Sequence, residues 1–360
     1  MRRRARNAML AAVLLIGTAA FLMWASEEPM GKAVARTVEW PRWMREEEHQ
    51  RVVARRVLPP RPVASPTAEA APPRPLDPFL EALPRDQDEP LIVLEANALR
   101  HSRLGELFVD CVVGTSRTDP FDEMRREAGI DPLKDIDRVA FSPAGIVVSG
   151  YFDRARLDQL QAKSELTSYG DHGQIFQPRM ASSGGTPPAS LGAWRGQLLV
   201  FGSRSFVQEA IDRVEGRAQA APSVIPEELT YGEAYGVLPG AALQRLLGGA
   251  QTELGRRLAS AAPRVELHVD AMHDVAAVAR VTGADAEQLD DLGKSLGAAL
   301  SLLRLDAKAR GQSEIADLLE HARVEPRNKG FTLEVALPIE AVERWFDHCG
   351  AEAPASASHR

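Results

Sequence analysis

Apolar positions recur at strand or helix spacing through most of this chain, and two stretches break that pattern. The first is Met9 to Ala25, MLAAVLLIGTAAFLMWA, which carries no charge and follows Arg2, Arg3, Arg4 and Arg6. Crossing a bilayer takes about 17–25 apolar residues, and basic residues stay on the cytoplasmic side. The run predicts an uncleaved signal-anchor helix, with residues 1–25 as basic tip and anchor. The N-terminus is then in the cytoplasm, and the rest of the chain lies outside the inner membrane, periplasmic or otherwise extracytoplasmic. The rival reading is a cleaved signal peptide cut after Gly17-Thr18-Ala19-Ala20, with Ala25 a poorer site because Met23 sits where a small residue is wanted. Both readings export the bulk of the chain. The second break is Pro59 to Pro90, where about one residue in three is proline. Proline fixes φ and lacks a donor, so residues 59–90 predict an extended spacer of polyproline character. Between the breaks lies a juxtamembrane segment, 26–58. Trp43 to Val57 has the pattern of a short amphipathic helix, its basic end suited to anionic headgroups, to a partner or simply to solvent.

From Leu91 the elements alternate. Leu91–Ala96 reads as a strand and Leu99–Val113 as a helix, followed by a short helix Pro120–Ala128 ended by Gly129. Val139–Tyr151 reads as one strand or a hairpin around Ser142-Pro143-Ala144-Gly145, and a helix follows from Phe152 or Asp153 to Ser164. Gly173–Phe176 and Leu198–Phe201 read as a strand pair joined by a long loop, Ala181–Ser190, and Ser203–Val214 as a helix. Leu229–Val237, a helix Ala241–Ser260 and Val265–Val269 come next. Val275–Val281, a helix Ala284–Leu303, a shorter helix Ser313–His321, a strand pair Val324–Leu337 and a last helix behind Pro338 complete the pattern. Leu91 to Gly145 and Val275 to Gly330 have nearly the same length and element order, which predicts a duplicated unit. The expectation is an α+β fold. It has two similar units of mainly antiparallel sheet, 91–225 and 226–348, with helices packed on one face, and 349–360 forms a disordered tail.

Gly129-Ile130-Asp131-Pro132 and Asp135-Ile136-Asp137, followed by a strand, carry a resemblance, as does Thr282-Gly283 before a long Leu/Ala-rich helix. Together with the anchor, the proline stretch and the Ala/Arg/Pro-heavy composition, the chain resembles exported, single-pass envelope proteins of GC-rich bacteria that share a duplicated α+β domain. The resemblance implies no activity, cofactor or site residue.

Charge narrows the partners. Residues 1–62 hold 12 Lys/Arg against 6 Asp/Glu, so the remaining 31 and 44 leave the exported body at −13. An acidic body argues against nucleic acid as a partner. The two cysteines, Cys111 and Cys349, could pair in an oxidising compartment or remain as separate buried thiols.

Candidate chemistry is sparse. His268 and Asp270 fall on one face of a predicted strand, with His273 and Asp274 in the turn behind them, an imidazole-carboxylate set of the kind that holds a divalent metal. Alternation with Leu267, Val269 and Ala271 explains the same pattern as one apolar and one wetted face. Gly202-Ser203-Arg204-Ser205 lies between a strand and a helix but is not G-x-S-x-G, and Ser203 reads as an N-cap. Cys111 sits on an apolar stripe where a thiol stays inert. Ser182-Ser183-Gly184-Gly185 is a loop rather than a phosphate cradle, and Asp285, Glu287, Asp290 and Asp291 complement a helix N-terminus. The sequence therefore predicts a non-enzymatic interaction domain without a cofactor, bound to the inner membrane through Met9–Ala25 and to another envelope protein. The alternatives are an exported small-ligand-binding module and, third, a hydrolase or metal-dependent enzyme.

Overall fold

A computed structural model describes residues 44–60, 75–115, 121–153, 155, 164–178, 189–219, 221–240, 242, 256, 257, 260–312, 316, 319–327 and 329–346. The predicted anchor Met9–Ala25, the Ser182–Gly185 loop and most of Ala241–Ser260 and Ser313–His321 lie outside these residues, as does the 349–360 tail. Among the described residues no helix is long and apolar enough to cross a membrane.

Among the described residues, twelve antiparallel strands form one sheet. In chain order they are β1 (Leu91–Leu94), β2 (Ile136–Phe141), β3 (Gly145–Gly150), β4 (Ser164–Tyr169), β5 (Gly173–Pro178), β6 (Ser190–Trp194), β7 (Leu198–Gly202), β8 (Ala234–Pro239), β9 (Arg264–Asp270), β10 (Val275–Thr282), β11 (Ala322–Arg327) and β12 (Gly330–Leu337). Across the sheet the order is β11-β12-β10-β9-β8-β1-β2-β3-β7-β6-β5-β4. The helices are α1 (Glu46–Ala54), α2 (Pro78–Ala82), α3 (Ala96–Arg100), α4 (Arg103–Thr115), α5 (Asp122–Ala128), α6 (Arg204–Val214), α7 (Ala286–Ala309) and α8 (Ile339–Phe346).

The antiparallel α+β class is as the sequence predicts, but the helices cover both faces rather than one. Side chains alternate along a strand, so each strand feeds two cores. Leu91, Val93, Val147, Leu198, Val200, Trp194, Tyr235 and Val237 point to one side, where α2 and α6 supply Phe79, Leu80, Val207 and Ile211. Val148, Leu199, Ala193 and Phe176 point to the other, against Ile130 and Phe152. On that same second side α7 lays Leu289 and Leu292 on Val265, Val281 and Phe331, and α4 and α8 meet over Val275, Val335 and Leu337.

The predicted units do not superpose as aligned. In the first, β1 pairs with β2, the leading strand of its hairpin; in the second, β10 pairs with β12, the trailing strand. A different alignment has matching order: β1-β2-β3-β7-β6 and β8-β9-β10-β12-β11 run outward from the central β1–β8 pair. The two halves therefore share one sheet.

Three other expectations change. The helix at 99–113 is two, α3 and α4, because Ser102 turns the chain: its Oγ donates to Leu99 O and accepts from Gly105 N at 2.7 and 3.1 Å. A Cβ at Gly105 would lie 1.7 Å from Leu99 O, so only glycine fits that corner. Strands β5 and β7 are not partners, since β6, which starts where the Gly/Ser/Pro loop ends, lies between them. The stretch expected as a helix up to Ser164 ends in strand β4.

The largest departure concerns Pro59–Pro90. Leu76 to Leu83 is core, with Phe79, Ala82 and Leu83 at 0% exposure. Asp77 caps α2 by accepting from Phe79 N at 2.9 Å, with Pro78 at the first helical position. Leu58 and Leu76 form a bridge, each N–H bonding the other's carbonyl at 3.0 Å. Leu58 and Leu76, on either side of the middle of the proline run, therefore meet at one point, and α1 is not held apart from the domain by a spacer.

Candidate functional site

Helix α1 is docked onto the ends of the central strands by charged groups. Glu46, Glu47 and Glu48 fill its first turn, where the helix dipole favours them. Glu48 does more: its Oε2 accepts from Arg45 N at 2.6 Å, and its Oε1 accepts from Gly232 N at 2.8 Å, ahead of β8. Arg45 pairs with Asp270 at the end of β9 and donates to Met272 Sδ. At the other end of α1, Arg55 holds Glu95 with two bonds of 3.1 and 2.8 Å and Asp137 with one of 3.0 Å. Arg56 bonds Glu227 at 2.7 Å. The basic end of this helix is thus satisfied by carboxylates of the fold rather than by headgroups or solvent.

Glu95 links this contact to a second, deeper pair. It is 2% exposed and also accepts from Tyr235 OH at 2.9 Å. Burial and the Glu95 carboxylate push the Tyr235 hydroxyl well above its usual range, so it remains a donor. Arg138 on β2 is 4% exposed, stacks 4.3 Å over the Phe79 ring and forms a two-pronged pair with Asp77 at 2.6 and 3.0 Å. Burial works to discharge that guanidinium, but the Asp77 carboxylate holds it firmly charged. Charged groups in such surroundings persist only when paired and hydrogen-bonded.

The predicted metal residues are not brought together. His268 and Asp270 do share a face of β9, but Asp270 is taken up by Arg45 and by Met272 N, and His273 is exposed on the turn. Among the described residues no three His, Cys, Asp or Glu side chains stand close enough to hold a metal. His268 instead stacks on Tyr231, 3.9 Å between centroids and 5° off parallel. Its Nδ1 lies 3.4 Å from Tyr231 O, and its Nε2 has no partner among the described residues. Burial, with Arg280 adding to it against the Tyr231 carbonyl, pushes His268 from 6.5 down to about 4. Between those values the unfolded chain binds a proton that the folded chain refuses, so this histidine makes the fold less stable as pH falls from about 6.5 to 4. The loss approaches about 3 kcal/mol at the acid end. In urea unfolding across that window, His268→Phe, which keeps the stacked ring, should depend less on pH than the wild type. An equal dependence would mean that His268 is not the group responsible.

The remaining candidates have structural roles. Ser203 caps α6 by accepting from Phe206 N, and Asp285 caps α7 by accepting from Gln288 N. Cys111 is disulfide-bonded and is therefore no nucleophile; Cys349, the only other cysteine of the chain, lies outside the described residues. A groove of about 430 Å³ is lined by Arg100, Glu106, Val109, Asp110 and Leu133, but Arg100 is spent on Ile136 O at 2.9 Å and on Asn97.

The sequence reading did not single out Arg45, Glu48, Arg55, Asp77, Glu95 or Arg138. Glu95 and Arg138 carry one signal, a charged residue at the end of, or inside, an apolar strand, as in Leu91-Ile92-Val93-Leu94-Glu95; Arg45, Glu48 and Arg55 lie in a charged helical run and Asp77 in the proline stretch, where nothing marks them. Comparison with protein-family models, with curated proteins and with solved structures gives no match to this chain.

Proposed function

We propose that this chain is a single-pass envelope protein, anchored in the inner membrane through Met9–Ala25, with its α+β domain on the outer side and no catalytic role. The domain engages another envelope protein. The observation that carries this reading is the docking of α1. It begins twenty-one residues after Ala25 and is tied to the central strands by Arg45, Glu48, Arg55 and Arg56. Any load on the domain would therefore pass to the anchor through α1, and because Leu58 and Leu76 are bridged the proline run does not extend the reach of the domain.

Two further features belong to this reading. The domain is a duplication, in the alignment that sets β1-β2-β3-β7-β6 against β8-β9-β10-β12-β11. β6 and β7 start at 190 and 198, β11 and β12 at 322 and 330, an offset of 132 for both. The sequence echoes at the same offset: Asp153, Leu157, Asp158 and Leu160 recur as Asp285, Leu289, Asp290 and Leu292. Second, the disulfide joins Cys111 to Cys349, clipping the end of α4 to the segment after α8. In support, α4 and α8 already meet through Leu104, Leu107, Val342 and the Arg103–Glu343 pair at 2.6 Å, and such a bond fits an oxidising compartment.

Fractionation of cells expressing the C-terminally tagged full chain tests the placement. We expect membrane association, an intact N-terminus by mass, and cleavage of the domain only by protease added from outside. A soluble product cut near Ala20 or Ala25 would remove the anchor and bring forward the ligand-binding alternative.

A further inference from the structure

The two edges of the sheet are built differently. At one end β11, Ala-Arg-Val-Glu-Pro-Arg, carries Pro326, which cannot donate to a ladder, and three charges, Arg323, Glu325 and Arg327. Proline and charge are the usual means of keeping an edge from pairing. At the other end β4, Ser-Glu-Leu-Thr-Ser-Tyr, has no proline, no basic residue and one acid. Among the described residues β4 pairs with β5 alone. Glu165, Leu166 and Ser168 are exposed, so no described residue blankets the strand.

We propose that β4 docks a second copy of this chain, edge to edge and antiparallel, extending the sheet across a two-fold axis centred on Leu166. A two-fold axis perpendicular to a sheet keeps each face on its own side. Residues of like parity must then oppose one another, which leaves few registers. Centred on Leu166, the exposed leucine meets the partner's Leu166, Glu165 meets the hydroxyl of the partner's Thr167, and Ser164 meets the partner's Ser168. Every pair is apolar on apolar or donor on acceptor. Centred on Glu165, two carboxylates would face each other. Centred on Thr167, Leu166 would oppose a serine, and Glu165 the partner's Tyr169, whose hydroxyl is already given to Asp212 at 2.9 Å. The chemistry of the strand thus fits its own copy in one register. This inference does not depend on the membrane anchor.

The test is a cysteine at the axis. With Cys111 disulfide-bonded, and Cys349 the only other native cysteine, Leu166→Cys in the full chain adds one new thiol. Paired positions on adjacent strands are close enough for the two copies to bond directly. We expect a covalent dimer under mild oxidation and none from Glu165→Cys, whose copies are diagonal. In the uncrosslinked chain, Leu166→Lys sets like charges opposite each other. It should convert a dimeric mass in light scattering to a monomeric one, with the circular dichroism and melting of the folded domain unchanged. A monomeric wild type, a dimer that survives Leu166→Lys, or a Leu166→Cys chain that bonds only to a protein of different mass would each overturn the proposal.

Discussion

Asp77→Ala should lower the unfolding free energy of the full chain by about 3–5 kcal/mol, the typical cost of stranding one member of a buried ion pair. Asp77 has two roles. Its carboxylate is the only two-pronged partner of Arg138, and it also caps α2 through Phe79 N. Without it the guanidinium lies buried over the Phe79 ring with Ser149 Oγ at 3.3 Å and Asp137 at 3.6 Å as remaining partners. The double variant Asp77→Ala/Arg138→Met separates the two roles. Removing both charges removes the desolvation cost, so most of the lost stability should return, leaving about 1 kcal/mol for the cap. Urea unfolding reads both. A double variant as unstable as the single one would mean that the capped turn, not the ion pair, holds α2 in place.

The second large effect belongs to the disulfide. If Cys111 joins Cys349, the closed loop spans about 240 residues, and the loop-entropy model assigns such a bond about 5 kcal/mol. Cys111→Ser, or reduction of the wild type, should then lower the melting temperature by about 10 °C. Loss should begin at α8, whose hydrophobic cluster holds only two buried side chains, its own Val342 and Leu337 of β12. Peptide mapping without reductant should recover a Cys111–Cys349 peptide. Unchanged melting, together with a Cys111 peptide bonded elsewhere or free, would contradict the pairing.

Much of the fold is legible along the chain, because strand and helix periods follow from which faces are buried. The αL stop at Gly129, with φ of 65°, the caps Ser203 and Asp285, and the break between β11 and β12 all have local signals. What escapes is what only the tertiary structure decides. β4 is polar because it is an edge and needs little apolar surface, and β6 contains Gly192, which gives way to Val207 of α6. Leu76–Leu83 reads as spacer because its prolines dominate the composition, yet Phe79, Leu80 and Leu83 are spaced as a short buried helix. Leu91 to Gly145 and Val275 to Gly330 match in element order, but strand pairing, which element order does not encode, differs between them. The docking contacts of α1 were the least legible. Arg55 and Glu95 are forty residues apart and Arg45 and Asp270 farther still, and a solvated arginine looks the same in sequence as a buried one.

Hydrogen exchange on the full chain tests the central claim, that α1 is docked on the domain. If α1 is docked, the amides of Glu46–Ala54 exchange slowly, in step with those of α6, and Glu95→Ala, which removes the main partner of Arg55, speeds them. If they exchange at the rate of a free peptide while α6 stays protected, α1 is a tether and not a docked element, and the account fails.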